Sequence, residues 1–351
     1  MPVATSAAAA RSFDGGEWWH AGRVAAGLLI PGLALLAAGR PDLIIFAAFG
    51  SFAGMYGRAE SRALRLRHQL QAGAVLLSGV SLGVLLSACH APPWLLVVAE
   101  AAFSFGCALV TNRLDLSPRG PFFGIFALGA IALVPAGRVE PWAGIALCAG
   151  TIAGCVLIGL TGPGRRAAPA TGTPPCAPGC GAACAVVHAG RYAVAIAAAG
   201  AAGLLLGMDH ANWAMASAAV PLAAADPRSR LHPGLRRVLD RSAHRVLGTL
   251  AGLVVTALLL LPGFGAAPLA LAVILLLFPT ELFMSRHYGI ALGFFTPLIL
   301  VMTELAAPAA PVTLLTARVA DTLVGVAAGI GAAVLVRAPC RTAGLTRSAR
   351  P

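Results

Sequence analysis

Residues 241–260, RSAHRVLGTLAGLVVTALLL, open on Arg241, His244 and Arg245 and then run to Leu260 without another charged side chain. A helix rises 1.5 Å per residue and the hydrocarbon core of a bilayer is about 30 Å thick, so about twenty apolar residues make a crossing. A basic start that runs into such a stretch predicts a helix that begins at the cytoplasmic interface and enters the bilayer. Comparable runs recur along the chain at 22–39, 41–57, 69–88, 92–111, 120–136, 141–161, 190–207, 211–226, 244–262, 266–284, 288–304 and 312–336. The shortest, 211–226, is the weakest of them. Breaks such as Arg40-Pro41-Asp42, Ala91-Pro92-Pro93 and Leu261-Pro262-Gly263 turn the chain tightly and join antiparallel neighbours.

Composition agrees. Of the 351 residues, 58% are hydrophobic and 11% charged, with a mean hydropathy of +0.84, whereas soluble domains carry about a quarter charged residues. The sequence therefore predicts an all-α integral membrane protein of about twelve transmembrane helices. The 25 basic residues are all Arg and outnumber 13 acids, a formal charge of +12. Nucleic-acid binding needs such charge gathered on one solvated face. Here it is spread over short loops, so membrane topology accounts for it and no nucleic-acid partner is expected.

With the N-terminus in the cytoplasm, the arginines at 58–67, 113–119, 165–166, 228–241, 286 and 337–350 fall inside, and Arg40 and Arg138 fall outside. This predicts a multi-pass protein of the plasma or inner membrane with both termini cytoplasmic. The first twenty residues lack an apolar core and a convincing cleavage site, so no cleaved signal peptide is expected.

A second regularity concerns halves. RHQLQAGAVLLSGVSLGVLL, from Arg67, resembles RSAHRVLGTLAGLVVTALLL, from Arg241, and each follows an Arg-rich stretch. The expected organisation is a tail over 1–21, a six-helix repeat over 22–161, a Pro/Gly/Cys-rich cytoplasmic linker over 162–189, a second six-helix repeat over 190–336 and a tail over 337–351. An even number of spans per half gives both halves the same orientation, with the pathway at their interface.

Three stretches of the second half carry a resemblance: NWAMASAAVPLAA from Asn212, the segment from Arg241 with Arg245, Gly248, Thr249 and Gly252, and TARVADTLVGVAAGIGAAVLV from Thr316 with Arg318, Asp321, Thr322 and Gly325. Their order resembles the fusaric acid resistance-like family of the aromatic acid exporter superfamily. The first half keeps the layout but lacks both Gly-Thr and Arg-x-x-Asp-Thr. The resemblance implies a transporter of aromatic carboxylates. The superfamily also contains plant anion channels, so carrier and channel both stay open, as does a membrane scaffold that moves nothing.

Candidate sites follow from residues expensive to place in lipid. Arg318 and Asp321, spaced i, i+3 in the last run, share a helix face and either neutralise each other or present a guanidinium fork to a substrate carboxylate. Asn212 and Trp213, with Asp209 and His210, form either a boundary anchor or a substrate-stacking site. Glu100 and Glu281 are candidates for proton coupling, because a buried carboxyl titrates nearer neutrality; local pairing with Arg286 and His287 is the alternative for Glu281. Segment 228–245 reads as an amphipathic helix on the cytoplasmic interface, or as a collecting surface for anions. Gly248, Thr249, Gly252 and Gly325 are expected to serve helix packing. Cys176, Cys180, Cys184 and His188 recur every fourth residue, but Pro178 and Gly179 break that helix, so no metal is expected.

The chain contains no Walker A sequence, nucleophile elbow, His-Glu-x-x-His or dinucleotide fingerprint. Neither an enzymatic role nor a cofactor is expected. The expected partners are the lipid bilayer and a small organic anion, exported at the expense of the proton gradient, with homo-oligomerisation left open.

Overall fold

A computed structural model of the protein describes Phe13 and residues 15–161, 180–224 and 235–336. Most of the expected linker with Cys176, the arginines at 228 and 230, residues 1–12 of the expected N-terminal tail and the tail over 337–351 with Cys340 lie outside the described residues. The helices are α1 (Gly15–Ala37), α2 (Ile44–Ser51), α3 (Arg62–Ala88), α4 (Pro93–Arg113), α5 (Phe122–Ala132), α6 (Pro141–Leu160), α7 (Cys180–Leu205), α8 (Ala211–Ala223), α9 (Leu235–Leu260), α10 (Ala266–Met284), α11 (Tyr288–Ala306) and α12 (Pro311–Leu335). Short 3-10 turns at Pro41–Leu43 and Phe52–Met55 flank α2. Proline opens α4, α6 and α12, where its fixed φ suits the first turn and its missing N–H costs nothing.

Among the described residues, nine helices are long and apolar enough to cross a membrane: α1, α3, α4, α6, α7, α9, α10, α11 and α12. Twelve helices are present among the described residues, as expected, but three of the expected spans are not long enough to cross alone. The runs at 41–57, 120–136 and 211–226 form α2, α5 and α8, of 8, 11 and 13 residues, too short by themselves to cross about 30 Å. They are apolar because protein surrounds them: all of α2, Phe123–Ile131 of α5 and Ala211–Leu222 of α8 are buried. Inside a bundle, helix length is no longer dictated by lipid, and non-helical backbone is tolerated at either end.

Short as they are, these helices carry the chain from one end of the bundle to the other. α8 starts where Ala211 packs on Gly203 near the end of α7, and finishes with Pro221 against Gly329 near the end of α12. α7 and α12 are antiparallel, since Arg191 Nε near the start of α7 donates to the Val336 carbonyl at 2.8 Å. α5 begins level with Cys107 of α4 and leads to Val134, whose carbonyl accepts from Ser87 Oγ at 2.6 Å. α2 packs Phe46 on Gly144 near the start of α6, and Gly54 follows it level with Cys155 further along. Residues 15 and 336 therefore lie at the same end of the bundle. That end also holds Arg58, Arg65, Arg191, Arg241 and Arg286 and is called the basic end below.

Several packing pairs organise the bundle. α3 lies on α5 and α6, and α9 on α11 and α12; α2 packs on α6 and α8 on α12. α4 meets α7, α10 meets α1, α5 meets α8 and α11 meets α2. Phe49, Phe52, Phe122, Phe123, Phe126 and Phe295 fill the middle, with ring centroids 5.2 to 6.4 Å apart. On α9, Leu247, Leu250, Val254 and Leu258 are exposed and form its lipid face. The opposite stripe holds Gly248 and Gly252, where an added Cβ would lie 2.5 Å from the Gly289 carbonyl oxygen and 2.6 Å from Thr296 Cβ of α11. A Cβ on Gly325 would collide with the Ala214 carbonyl of α8.

Two boundaries differ from expectation. The first helix begins at Gly15, inside the expected tail, and α7 begins at Cys180, inside the expected linker and directly after Gly179. Residues 235–245, expected to lie along the interface, form the first turns of α9 and continue into the span.

Candidate functional site

Two cavities approach each other from opposite ends of the bundle, and α5 and α8 run between them. The one at the basic end, about 330 Å³, is lined by Arg58, Arg119, Arg241, Arg245 and Glu281, with Phe122, Phe123, Phe295 and Tyr288 as its aromatic wall. Arg245, 1% exposed, reaches it from α9. Its guanidinium carbon lies 5.5 Å from the centre of the Phe122 ring, its Nη2 donates to Ser217 Oγ at 3.3 Å, and its Nε has no partner in the protein. Arg241 sits 3.3 Å over the ring of Tyr288. Arg119 pairs with Asp115 in the open, where such a bridge contributes little.

Arg58 is held differently. Its Nη2 donates to Glu281 Oε1 at 2.5 Å and to the Glu281 carbonyl at 2.8 Å, and its Nη1 to Ser285 Oγ at 2.9 Å. Glu281 Oε1 also lies 2.9 Å from His20 Nε2 of α1. Glu281 thus joins partners distant in sequence, while Arg286, its expected neighbour, bridges to Glu17 at 2.6 Å. With four arginines against one glutamate on its wall, this cavity is a positive, aromatic-walled vestibule.

The opposite cavity, about 360 Å³, is lined by Leu96 and Val97 of α4, Ala132 and Leu133, and Asp209, Asn212 and Met215. Burial holds His210, in the turn before α8, below the usual imidazole range. Behind this cavity Glu100 is 0% exposed, and neither of its carboxylate oxygens has a partner in the protein; the same holds for Asn212 Oδ1. Gly129 of α5 fits between them, because a Cβ there would strike Glu100 Oε1 and lie 2.8 Å from Asn212 Cβ. Three helices therefore meet at one buried carboxylate.

Between the cavities, Trp213 is fully buried, stacked on His210 at 4.9 Å and approached by the Arg318 guanidinium carbon at 4.8 Å. A boundary anchor is excluded by that burial; Trp94 and Trp142, 60% and 71% exposed at the starts of α4 and α6, suit that role. Arg318 and Asp321 are both buried but do not satisfy each other: Arg318 Nε and Nη1 and both Asp321 oxygens lack a hydrogen-bond partner in the protein. Each such group costs about 1–3 kcal/mol if it stays unpaired. Arg318, Asp321 and Trp213 line neither cavity, Asn212 lines one, and Glu281 lines the other. Thr249 Oγ1, facing inward from α9, is also without a partner.

Arg58, Arg119 and the Phe122, Phe123, Phe295 and Tyr288 wall were missed as site residues by sequence reasoning. Their signal was present as the excess of basic residues, but topology explained it equally well. Arg241 and Arg245 fall in the segment read as an amphipathic helix or a collecting surface for anions, and Arg245 also in the family motif. Among the described residues, no three His, Cys, Asp or Glu side chains converge as a metal site.

In comparison with known proteins, residues 196–332 match the family described as fusaric acid resistance protein-like. No curated protein and no solved structure matches the chain.

Proposed function

With residues 196–332 matching the fusaric acid resistance protein-like family, we propose that this multi-pass membrane protein is a non-enzymatic carrier of that family that exports small organic anions, aromatic carboxylates foremost, using the proton gradient. The observation that carries this reading is the vestibule in which Arg245 and Arg241 stand among the rings of Phe122, Phe123, Phe295 and Tyr288. Guanidinium groups bind a planar carboxylate through parallel N–H bonds, and the rings accept its apolar body.

The packed layer of α5 and α8 between the cavities supports a carrier over an open channel. Substrate passes between Arg245 and the inner pair Arg318 and Asp321, beside Trp213 and Asn212, and Glu100 carries the proton on the far side. The basic end faces the cytoplasm, in keeping with retention of arginine there. The two halves are repeats in the same orientation. Support for this comes from the packing pairs, which recur after a shift of six helices: α4 with α7 and α10 with α1, α5 with α8 and α11 with α2.

The test is transport by the purified protein in liposomes. Benzoate and related aromatic acids loaded inside should exchange against an imposed pH gradient, and Arg245→Ala should lower the rate at least tenfold. Rates equal to those of empty liposomes across a broad panel of aromatic acids would refute the reading.

A further inference from the structure

The wall of the basic-end cavity contains its own carboxylate, already seated on an arginine. Glu281 Oε1 accepts from Arg58 Nη2 at 2.5 Å, and both residues face the cavity. On its other side Glu281 meets His20 Nε2 at 2.9 Å, and His20 Nδ1 lies 3.2 Å from Arg23 Nη2. Arginine has only donors, so Nδ1 must be the acceptor there and Nε2 carries the hydrogen given to Glu281. A second proton on His20 would set N–H against N–H at Arg23. The imidazole is thereby held neutral, and the group on this wall free to gain a proton is the Glu281 carboxylate.

The other charged and titratable groups around it are accounted for. From α1, Glu17 is engaged by Arg286. His287 and Tyr288 follow in the turn to α11, with the Tyr288 ring under Arg241. Across the cavity stand Arg241, Arg245 and Arg119. Asp42 lies at the far end of the bundle, paired with Arg40 at 2.9 Å. Glu60, two residues after Arg58, is held by His68 Nδ1 at 2.9 Å, and among the described residues the carboxylate paired with Arg58 is that of Glu281.

We infer that Glu281 is an internal counter-anion that an incoming substrate anion displaces from Arg58, taking up one proton from the basic-end solution as it does so. Two carboxylates cannot share one guanidinium in a half-buried site without mutual repulsion, and protonation of Glu281 removes that repulsion. Glu281 then stays as a neutral acid donating to a neighbouring oxygen, and the substrate carries the negative charge in its place. Binding and protonation become linked one to one at this wall, so that acidity at the basic end raises the affinity for the anion. The inference rests on the anion-carrier reading above and adds to it the residue that the anion displaces.

The test uses the full chain in detergent and benzenesulfonate as probe, because its charge does not titrate in the working range. Calorimetry in two buffers of different ionisation enthalpy measures protons taken up per probe bound. The wild type should take up close to one, with affinity falling as pH rises. Glu281→Gln should bind the probe with no proton uptake and a flat pH profile. Binding by the wild type without proton uptake, a result that needs no variant, would overturn the inference and leave the carrier reading standing. So would an unchanged pH slope in Glu281→Gln. Failure of the wild type to bind either benzenesulfonate or benzoate at any pH would sink the carrier reading and the inference with it.

Discussion

The guanidinium carbon of Arg318 lies 4.8 Å from the centre of the Trp213 ring, while the carboxylate of Asp321, one helical turn away, has no hydrogen-bond partner in the protein. A buried arginine that faces a ring keeps its charge only partly compensated. That differs from a closed ion pair, which would leave it nothing to offer a ligand.

Because this contact is desolvated, Arg318 and Trp213 should be energetically coupled. A double-mutant cycle of Arg318→Ala and Trp213→Ala, followed by thermal unfolding in detergent, should give a coupling of about 0.5–2 kcal/mol. Arg318→Lys keeps the charge but loses the planar fork, and should abolish transport in liposomes while leaving the protein folded. Normal transport by that variant would remove Arg318 from the pathway.

Arg245 presents an unpartnered Nε beside Ser217 and the Phe122 ring. A charge-assisted hydrogen bond is worth about 1.5–3 kcal/mol, so Arg245→Ala should weaken benzoate binding by about ten- to a hundredfold. Arg245→Lys should fall between. Calorimetric titration of each variant measures the ratio, and equal affinities would place the anion elsewhere.

Gly129 leaves room for Glu100 and Asn212 alone. Gly129→Ala should destabilise by about 1–3 kcal/mol through overpacking, read as a lower unfolding midpoint. Glu100→Ala in the same chain removes the nearer of the two contacts the new methyl would strike and should recover part of that loss, and Asn212→Gly added to it should recover more. No recovery in either would mean that the three helices do not meet as described.

Glu100→Gln preserves shape and removes the titratable proton. Downhill exchange of labelled benzoate should continue in this variant, whereas accumulation driven by a pH gradient should be lost. Full response to the gradient would exclude Glu100 as the carrier of the proton.

Ionic strength offers a test of the vestibule as a whole. Arg58, Arg119, Arg241 and Arg245 line one opening, so loading of anions should slow as salt rises from about 10 to 200 mM, a range over which the Debye length shrinks from about 30 Å to less than 8 Å. An uncharged aromatic amide should show no such slope.

The long helices were legible because lipid imposes one length on whatever crosses it alone; α10 occupies the residues that its hydropathy predicts. The short helices were not, because hydropathy registers that Ala214 or Ile125 avoids water without saying whether lipid or protein surrounds it. Arginine in loops posed the same difficulty. Arg65, read as a topology marker, is buried and donates to the carbonyls of Gly57, Glu60 and Gly159. Arg58 and Glu281 meet across 223 residues of chain, a relation that no local spacing encodes. Asn212 and Glu100 were singled out for being polar in apolar runs, and that criterion found them because burying such groups is costly. It could not reveal that a glycine of a third helix brings them together.

The two ends of α5 line different cavities: Phe122 and Phe123 face the basic-end vestibule, and Ala132 and Leu133 the opposite one. Eleven residues of helix amount to about 16 Å, roughly half the hydrocarbon thickness of a bilayer. Where solvent fills both vestibules, the transmembrane voltage falls across that half alone, and the electric field on a charge between Arg245 and Glu100 is about double its mean value. An anion moving through this protein then gains its whole electrical energy, about 2.3 kcal/mol per 100 mV, within the roughly 16 Å where the two short helices lie side by side.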